Sequence, residues 1–190
     1  MPATHVALLR GINLGGRNKV AMADLRALVG ELGHTGVSTY IQSGNVLFSA
    51  PPDAEADALA LAMTEAIAAK LGVTSPVVVL SRDELARVVA ANPFPGEPDH
   101  RRVHAVVLSE PPGAELTAKL DAAMAQSAAK GFGDEIEVID RTLYLHTPDG
   151  YGRSDLAATL MRIVGSPKAG TTGTARNWAT MTKLLALCDG

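Results

Sequence analysis

Cysteine is almost missing from this chain, and Cys188 alone can neither close an internal disulfide nor build a thiolate metal site. Aromatic residues make up only 4%, so a core has to be assembled largely from Ala, Val and Leu. No run approaches the roughly 18 apolar residues of a membrane span, and the opening MPATHVALLRG lacks the apolar stretch of a signal peptide. Both absences lead to the expectation of a cytoplasmic protein with no membrane partner. Positive charge is not in excess either. Seventeen Lys and Arg face 20 Asp and Glu, a net charge of −3, which excludes a uniformly basic nucleic-acid binder. What is present is an ordinary globular balance, 47% hydrophobic and 19% charged over 190 residues, enough for one larger domain or two small ones.

The charge is unevenly spread. Residues 1–50 and 151–190 together carry +5, while the stretch between them carries −8. If the ends meet, they form a local anion site on an acidic protein. Arg26 and Arg162 fall in helical patterns and read as solvated charges.

Periodicity gives an alternating chain. His5–Arg10 (HVALLR) reads as a buried strand. Met22, Leu25, Leu28, Val29 and Leu32 mark one helix face that stops at Gly33. Strands at 37–41 and 45–48 flank Gln42-Ser43-Gly44, an Ala-rich helix runs from near Asp53 to Leu71, and PVVVL makes a fourth strand. The order β-α-β-β-α-β is that of a ferredoxin-like unit. Ser81-Arg82-Asp83-Glu84 has the spacing of a capping box, so a further helix starts there. Residues 92–100 (NPFPGEPDH) hold three prolines and read as a linker. Beyond it come a strand at 103–108, a helix at 114–129, hairpin strands at 135–139 and 143–146, a helix capped by Ser154, and a last helix carrying Trp178, Met181, Leu184, Leu185 and Cys188. The expected architecture is α+β, with two related ferredoxin-like subdomains in tandem. They occupy residues 1–91 and 101–190 around the 92–100 linker, and the second is incomplete because it ends on a helix.

Three polar clusters interrupt this pattern. Arg10 and the loop Gly11-Ile12-Asn13-Leu14-Gly15-Gly16-Arg17-Asn18-Lys19 follow the first strand. Its glycines let backbone amides approach a phosphate, Arg17 and Lys19 neutralise charge, and Asn13 or Asn18 reads a hydroxyl or base edge. It is not an ordinary P-loop, because Arg17 replaces the Lys and Asn18 the Ser or Thr that holds magnesium. Tyr40 and Ser43-Gly44-Asn45 form the second cluster, a hairpin turn dense in amide and hydroxyl groups, and Ser43 lacks the surroundings of a nucleophile elbow. In the third, Thr174 is expected to cap the last helix, with Arg176 and Asn177 offered to an anion at its start. The preceding 165–173 stretch with Lys168 reads as a lid or linker. His100 and His104 are four apart, but Pro98 and the strand pattern oppose a helix that would align them, so no metal site is expected. No cofactor motif is visible.

LLRGINLGGRNKVAMADLRALVGELG, TYIQSGNVLF, NPFP and TARNWATMTKLLAL, in this order, resemble the bacterial domain-of-unknown-function family 1697 over nearly the whole chain. The resemblance implies an α+β fold of two related subdomains and no defined reaction. Its polar motif positions correspond here to Arg10, Gly11, Asn13, Gly15, Gly16, Asn18, Ser43, Gly44, Asn45, Arg176 and Asn177. The chain departs from the family at Thr171-Thr172-Gly173-Thr174-Ala175, where a compact Thr-Thr-Arg-Asn-Trp run is typical.

Function is therefore expected to be the binding of a phosphate-bearing ligand, a nucleic acid or nucleotide, by the three clusters together. Two alternatives use the same residues. One is an enzyme acting on a small anionic metabolite, the other a protein-interaction scaffold in which the glycines and asparagines only make turns.

Overall fold

Strands and helices that each carry one apolar face have to be layered to hide it. In the computed structural model, which describes residues 2–166 and 171–190, they build two units. Met1–Val89 with Thr182–Gly190 makes the first, and Ala90–Met181 the second. Lys168 lies outside the described residues. Among those described, no helix is long and apolar enough to cross a membrane.

The first unit runs β1 (His5–Leu9), α1 (Met22–Glu31), β2 (Thr35–Tyr40), β3 (Asn45–Ser49), α2 (Ala56–Leu71) and β4 (Val77–Ser81), followed by α3 (Arg82–Ala90). Its sheet has the order β2-β3-β1-β4, with every neighbouring pair antiparallel. Alternation sends Ala7, Leu9, Val46, Phe48, Val77 and Val79 into one core with Leu25 and Val29 of α1 and Met63 and Ile67 of α2. The intervening residues Val6, Leu8, Leu47, Val78 and Leu80 are buried as well, none more than 2% exposed. Neither face of β1, β3 and β4 is an open platform, while β2 at the edge of the sheet is exposed to half-buried. The capping box forms as expected, with Glu84 N donating to Ser81 Oγ at 3.2 Å and Ser81 N donating to Glu84 Oε2 at 2.9 Å.

The second unit repeats the order: β5 (Val103–Leu108), α4 (Ala114–Ala129), β6 (Glu135–Ile139), β7 (Thr142–His146), α5 (Asp155–Ile163) and β8 (Gly173–Asn177). Its antiparallel sheet runs β6-β7-β5-β8. Val106, Leu108, Leu143 and Leu145 pack with Leu120 of α4 and Leu160 of α5. Ser154 Oγ accepts from Ala157 N at 2.8 Å and caps α5. The last helix, α6 (Trp178–Asp189), starts among residues of the second unit and ends among those of the first.

Two expectations are corrected here. The second unit is not incomplete, because β8 closes its sheet against β5 with Leu108 opposite Gly173 and Ala105 opposite Arg176. The sequence GTARN is poor in β-branched and aromatic residues, so it does not announce a strand. Close packing specifies it instead: a Cβ on Gly173 would lie 2.7 Å from Leu108 Cδ2 and 3.2 Å from Val164 Cβ. The proline-rich 92–100 segment is also not a free linker. Glu97 Oε2 lies 2.9 Å from His146 Nε2, and the Phe94 ring stands 5.0 Å from that imidazole. The hydrogen bond to His146 and a second from the Asp99 amide hold the Glu97 carboxyl below its usual range.

Replacing Gly173 with Ala should destabilise the second unit by about 1–3 kcal/mol through overpacking, read as a lower urea midpoint at unchanged slope. His104 supplies a pH test. Its ring stacks on Tyr151 at 4.1 Å, its Nδ1 is buried without a partner, and burial pushes its pKa from 6.5 down to about 4. The folded state thus favours the neutral ring, so this contribution is complete above pH 6.5 and drains away as the pH falls toward 4, about 3 kcal/mol in all. Urea unfolding between pH 7.5 and 5 should show the loss, and His104→Phe, which keeps a ring, should flatten the pH dependence.

Candidate ligand-binding loops of the first unit

A chain leaving β1 must turn sharply to reach α1, and this loop does so through left-handed backbone at Gly11, Asn13, Gly15, Gly16 and Asn18. Glycine adopts that geometry without penalty and asparagine tolerates it. Arg17 N donates to Leu14 O at 3.0 Å, closing a tight turn around Gly15 and Gly16. Asn18 Nδ2 donates to Gly11 O at 3.0 Å, and Asn13 N donates to Asn18 O at 3.1 Å, so the loop is cross-braced from within.

Asn13 couples this loop to the next one. Its Oδ1 accepts from Val20 N at 2.9 Å, and its Nδ2 donates to Val20 O and to Gln42 O, each at 2.9 Å. Gln42 belongs to the Ile41–Gly44 turn between β2 and β3, so one amide holds both loops together. On the turn's far side Asn45, fully buried, donates from Nδ2 to Tyr40 O at 3.0 Å and to Ser43 Oγ at 3.3 Å. Leu9 N donates to Gly44 O at 2.9 Å. Gly44, with φ +77°, is required twice over, since a Cβ there would lie 2.7 Å from Leu9 Cβ and 2.8 Å from Ile12 Cδ1. Arg10 is half-buried; its amide donates to Pro76 O at 3.0 Å and its carbonyl accepts from Ser75 Oγ at 2.8 Å.

The expectation that Asn13 and Asn18 read a ligand is therefore corrected for Asn13, whose donor and acceptor are both spent on the backbone. Asn18 and Asn45 likewise bind carbonyls of their own loops. What the braces present outward is different. Arg17 and Lys19 are exposed, and among the described residues neither side chain has an ion pair. Beside them Leu14 is 64% exposed, and Ile41 on the linked turn is 51% exposed. Ile41 also sits at φ +51°, a left-handed conformation that a β-branched residue pays about 1–3 kcal/mol to adopt. The carbonyls on either side of it, of Tyr40 and Gln42, are the two that Asn45 and Asn13 hold.

Leu14 and Ile41 were not singled out by sequence; Arg26, read there as a solvated helical charge, donates from Nη1 to Thr39 Oγ1 at 2.8 Å next to half-buried Tyr40. Two large aliphatics inside otherwise polar loops were the available signal.

Arg176 and Asn177 belong to the second unit, and Arg176 does not stand at the helix start as expected. Arg176 lies in β8, 8% exposed, with Nη1 donating to Thr174 Oγ1 and Ala175 O, each at 2.8 Å. Burial lowers its pKa to about 10, so it stays charged at neutral pH. Thr174 lies inside β8, four residues before the helix, and does not cap it. Asn177 takes that role, its Oδ1 accepting from Thr180 N at 2.8 Å. No group of three His, Cys, Asp or Glu able to hold a metal gathers among the described residues.

Comparison with known proteins places these loops in context. The family model described as "Protein of unknown function (DUF1697)" matches residues 3–144, which include both loops. The solved structure of the conserved bacterial protein SP0830 from Streptococcus pneumoniae is similar over 99% of each chain, at 22% identity and a TM-score of 0.65, a likeness of fold. No curated protein matches.

Asn13→Ala should cost about 2–4 kcal/mol, because three hydrogen bonds go and buried backbone groups lose partners. Ile41→Gly should do the opposite and raise the unfolding free energy by up to about 1 kcal/mol by relieving the left-handed backbone. Chemical denaturation of the two variants checks both signs.

Proposed function

The chain belongs to the domain-of-unknown-function family 1697, and from that premise we propose that its first unit binds a phosphate-bearing polymer, a short stretch of single-stranded nucleic acid, on the two braced loops. The observation that carries this reading is the Asn13 bridge: it fixes a loop bearing Arg17 and Lys19 against a turn bearing Ile41, so cations and apolar side chains are presented together on a rigid frame. Phosphates meet the cations; sugar and base faces meet Leu14 and Ile41. We read each unit as ferredoxin-like, which its β-α-β-β-α-β order and antiparallel sheet support. Many nucleic-acid binders of that architecture use the open sheet face, and here β1, β3 and β4 of the first sheet offer none. The loops are what is left.

Binding is favoured over reaction because residues 10–19 and 39–45 contain no Asp, Glu, His or Cys, hence no side chain suited to general base catalysis at neutral pH. We assign the protein to the cytoplasm, a compartment compatible with a chain whose one cysteine, Cys188, is buried and free. Arg176 is left out of this surface, since its side chain is buried and its Nη1 is held by Thr174 and Ala175.

Fluorescence anisotropy with a labelled oligonucleotide tests the reading. Two phosphate contacts predict a log–log salt slope of about −1.4. Arg17→Gln with Lys19→Gln should flatten that slope toward zero. Absence of binding at low salt, or a slope indifferent to the double substitution, contradicts the proposal.

A further inference from the structure

The second unit holds a concavity of about 540 Å³ that is separate from the loops described above and lies within a single unit. Its walls are the turn Asp99–Arg102 before β5 and the segment 148–153 after β7, and they bring Arg101, Arg102 and Arg153 to one hollow. On a chain of net charge −3, three guanidiniums around one hollow need a physical reason.

The walls are tied to each other. Arg102 O accepts from Thr147 N at 2.8 Å and from Thr147 Oγ1 at 3.2 Å, which fixes the first wall to the end of β7. Gly150 N donates to Thr147 O at 2.9 Å and Arg153 N to Gly150 O at 3.0 Å, which carries that anchor along the second wall. Glu97 adds a brace, with Oε1 accepting from Asp99 N at 2.9 Å and Oε2 bonded to His146. Tyr151, also on the second wall, is held by its stack on His104. The hollow is thus held in shape by backbone and ring contacts that do not use the arginine side chains.

The three arginines are not equivalent. Arg101 is committed, its Nε and Nη2 each 2.9 Å from the two Asp99 carboxylate oxygens in a fork-on-fork pair. Asp99, holding Arg101 and drawing the Arg101 amide as well, is pulled down to a pKa of about 2 and stays ionised. Arg102 Nε stands 3.8 Å from Asp99 Oδ2, beyond hydrogen-bond distance, because Arg101 already fills that carboxylate. Arg153 is exposed and has no side-chain ion pair among the described residues. Two guanidiniums therefore line the hollow with no side-chain hydrogen bond among the described residues, opposed by Asp149 and by Asp99, which Arg101 already forks and which Arg102 meets only as an ion pair at 3.8 Å.

We propose that this hollow is a binding site for a phosphate monoester, with Arg102 and Arg153 gripping the dianion and Tyr151 supplying an apolar wall for the group it is attached to. Planar guanidinium forks match the oxygens of a phosphate, and a volume of this size holds a small metabolite rather than a bare ion. Asp149 limits the affinity, so its removal tightens binding. The site is independent of the nucleic-acid reading of the first unit.

Calorimetric titration of the full chain with inorganic phosphate and with adenosine 5′-monophosphate decides the matter. The monoester should bind saturably and more tightly than inorganic phosphate. Arg102→Gln and Arg153→Gln should each weaken it about five- to tenfold, and Asp149→Asn should strengthen it. Arg17→Gln with Lys19→Gln should leave it unchanged, which separates this site from the first unit's loops. Circular dichroism confirms that each variant is folded. Saturation by inorganic phosphate alone, with no gain for the monoester, overturns the assignment, as does binding indifferent to Arg102 and Arg153 or abolished only by the first-unit pair.

Discussion

A loop built of nine residues after β1, five of them left-handed, has no reason to hold one shape unless something outside its own backbone fixes it. The Asn13 amide does this. By bonding Val20 on the loop's exit and Gln42 on the neighbouring turn, it converts two loops into one body. Each hydrogen bond is worth only about 1 kcal/mol net, but together they replace two independent loop entropies by one. The strained Ile41, the exposed Leu14 and the exposed cations Arg17 and Lys19 all depend on that frame for their positions.

Our proposal turns to the loops because of the way the central strands are buried. In the first unit alternate residues of β1, β3 and β4 face opposite sides, yet both sets are almost wholly inaccessible, and among the strands β2 is the one whose side chains reach solvent along its length. The second unit repeats the strand order and uses it differently. Its connecting segments are pinned by Thr147 and Glu97 around a hollow instead of a protruding loop. One topology thus carries two kinds of surface on its connections, which is where both proposed sites lie.

Much of the scaffold was legible from periodicity. Val103–Leu108 and Ala114–Ala129 fall where their apolar spacing puts them, and the caps at Ser81 and Ser154 form as their spacing requires. β8 was not legible, because Gly173 is there for closeness to Leu108 and Arg176 for a buried fork, neither of which raises strand propensity. The loops show the same divide. Their glycines and asparagines mark turns correctly, but an asparagine that braces a loop and one that reads a ligand look identical until its partners are known. Arg101 and Arg102 are adjacent in sequence, yet only the geometry of Asp99 separates the one that forks it from the one left at 3.8 Å.

The claim that Asn13 unites the two loops into a ligand-bearing surface is tested most directly by amide NMR during titration with a single-stranded oligonucleotide at low ionic strength. The account predicts shifts that travel together in Gly11–Lys19 and Ile41–Asn45 of the native chain. Shifts confined to one of the two loops, or found only outside them, would contradict it.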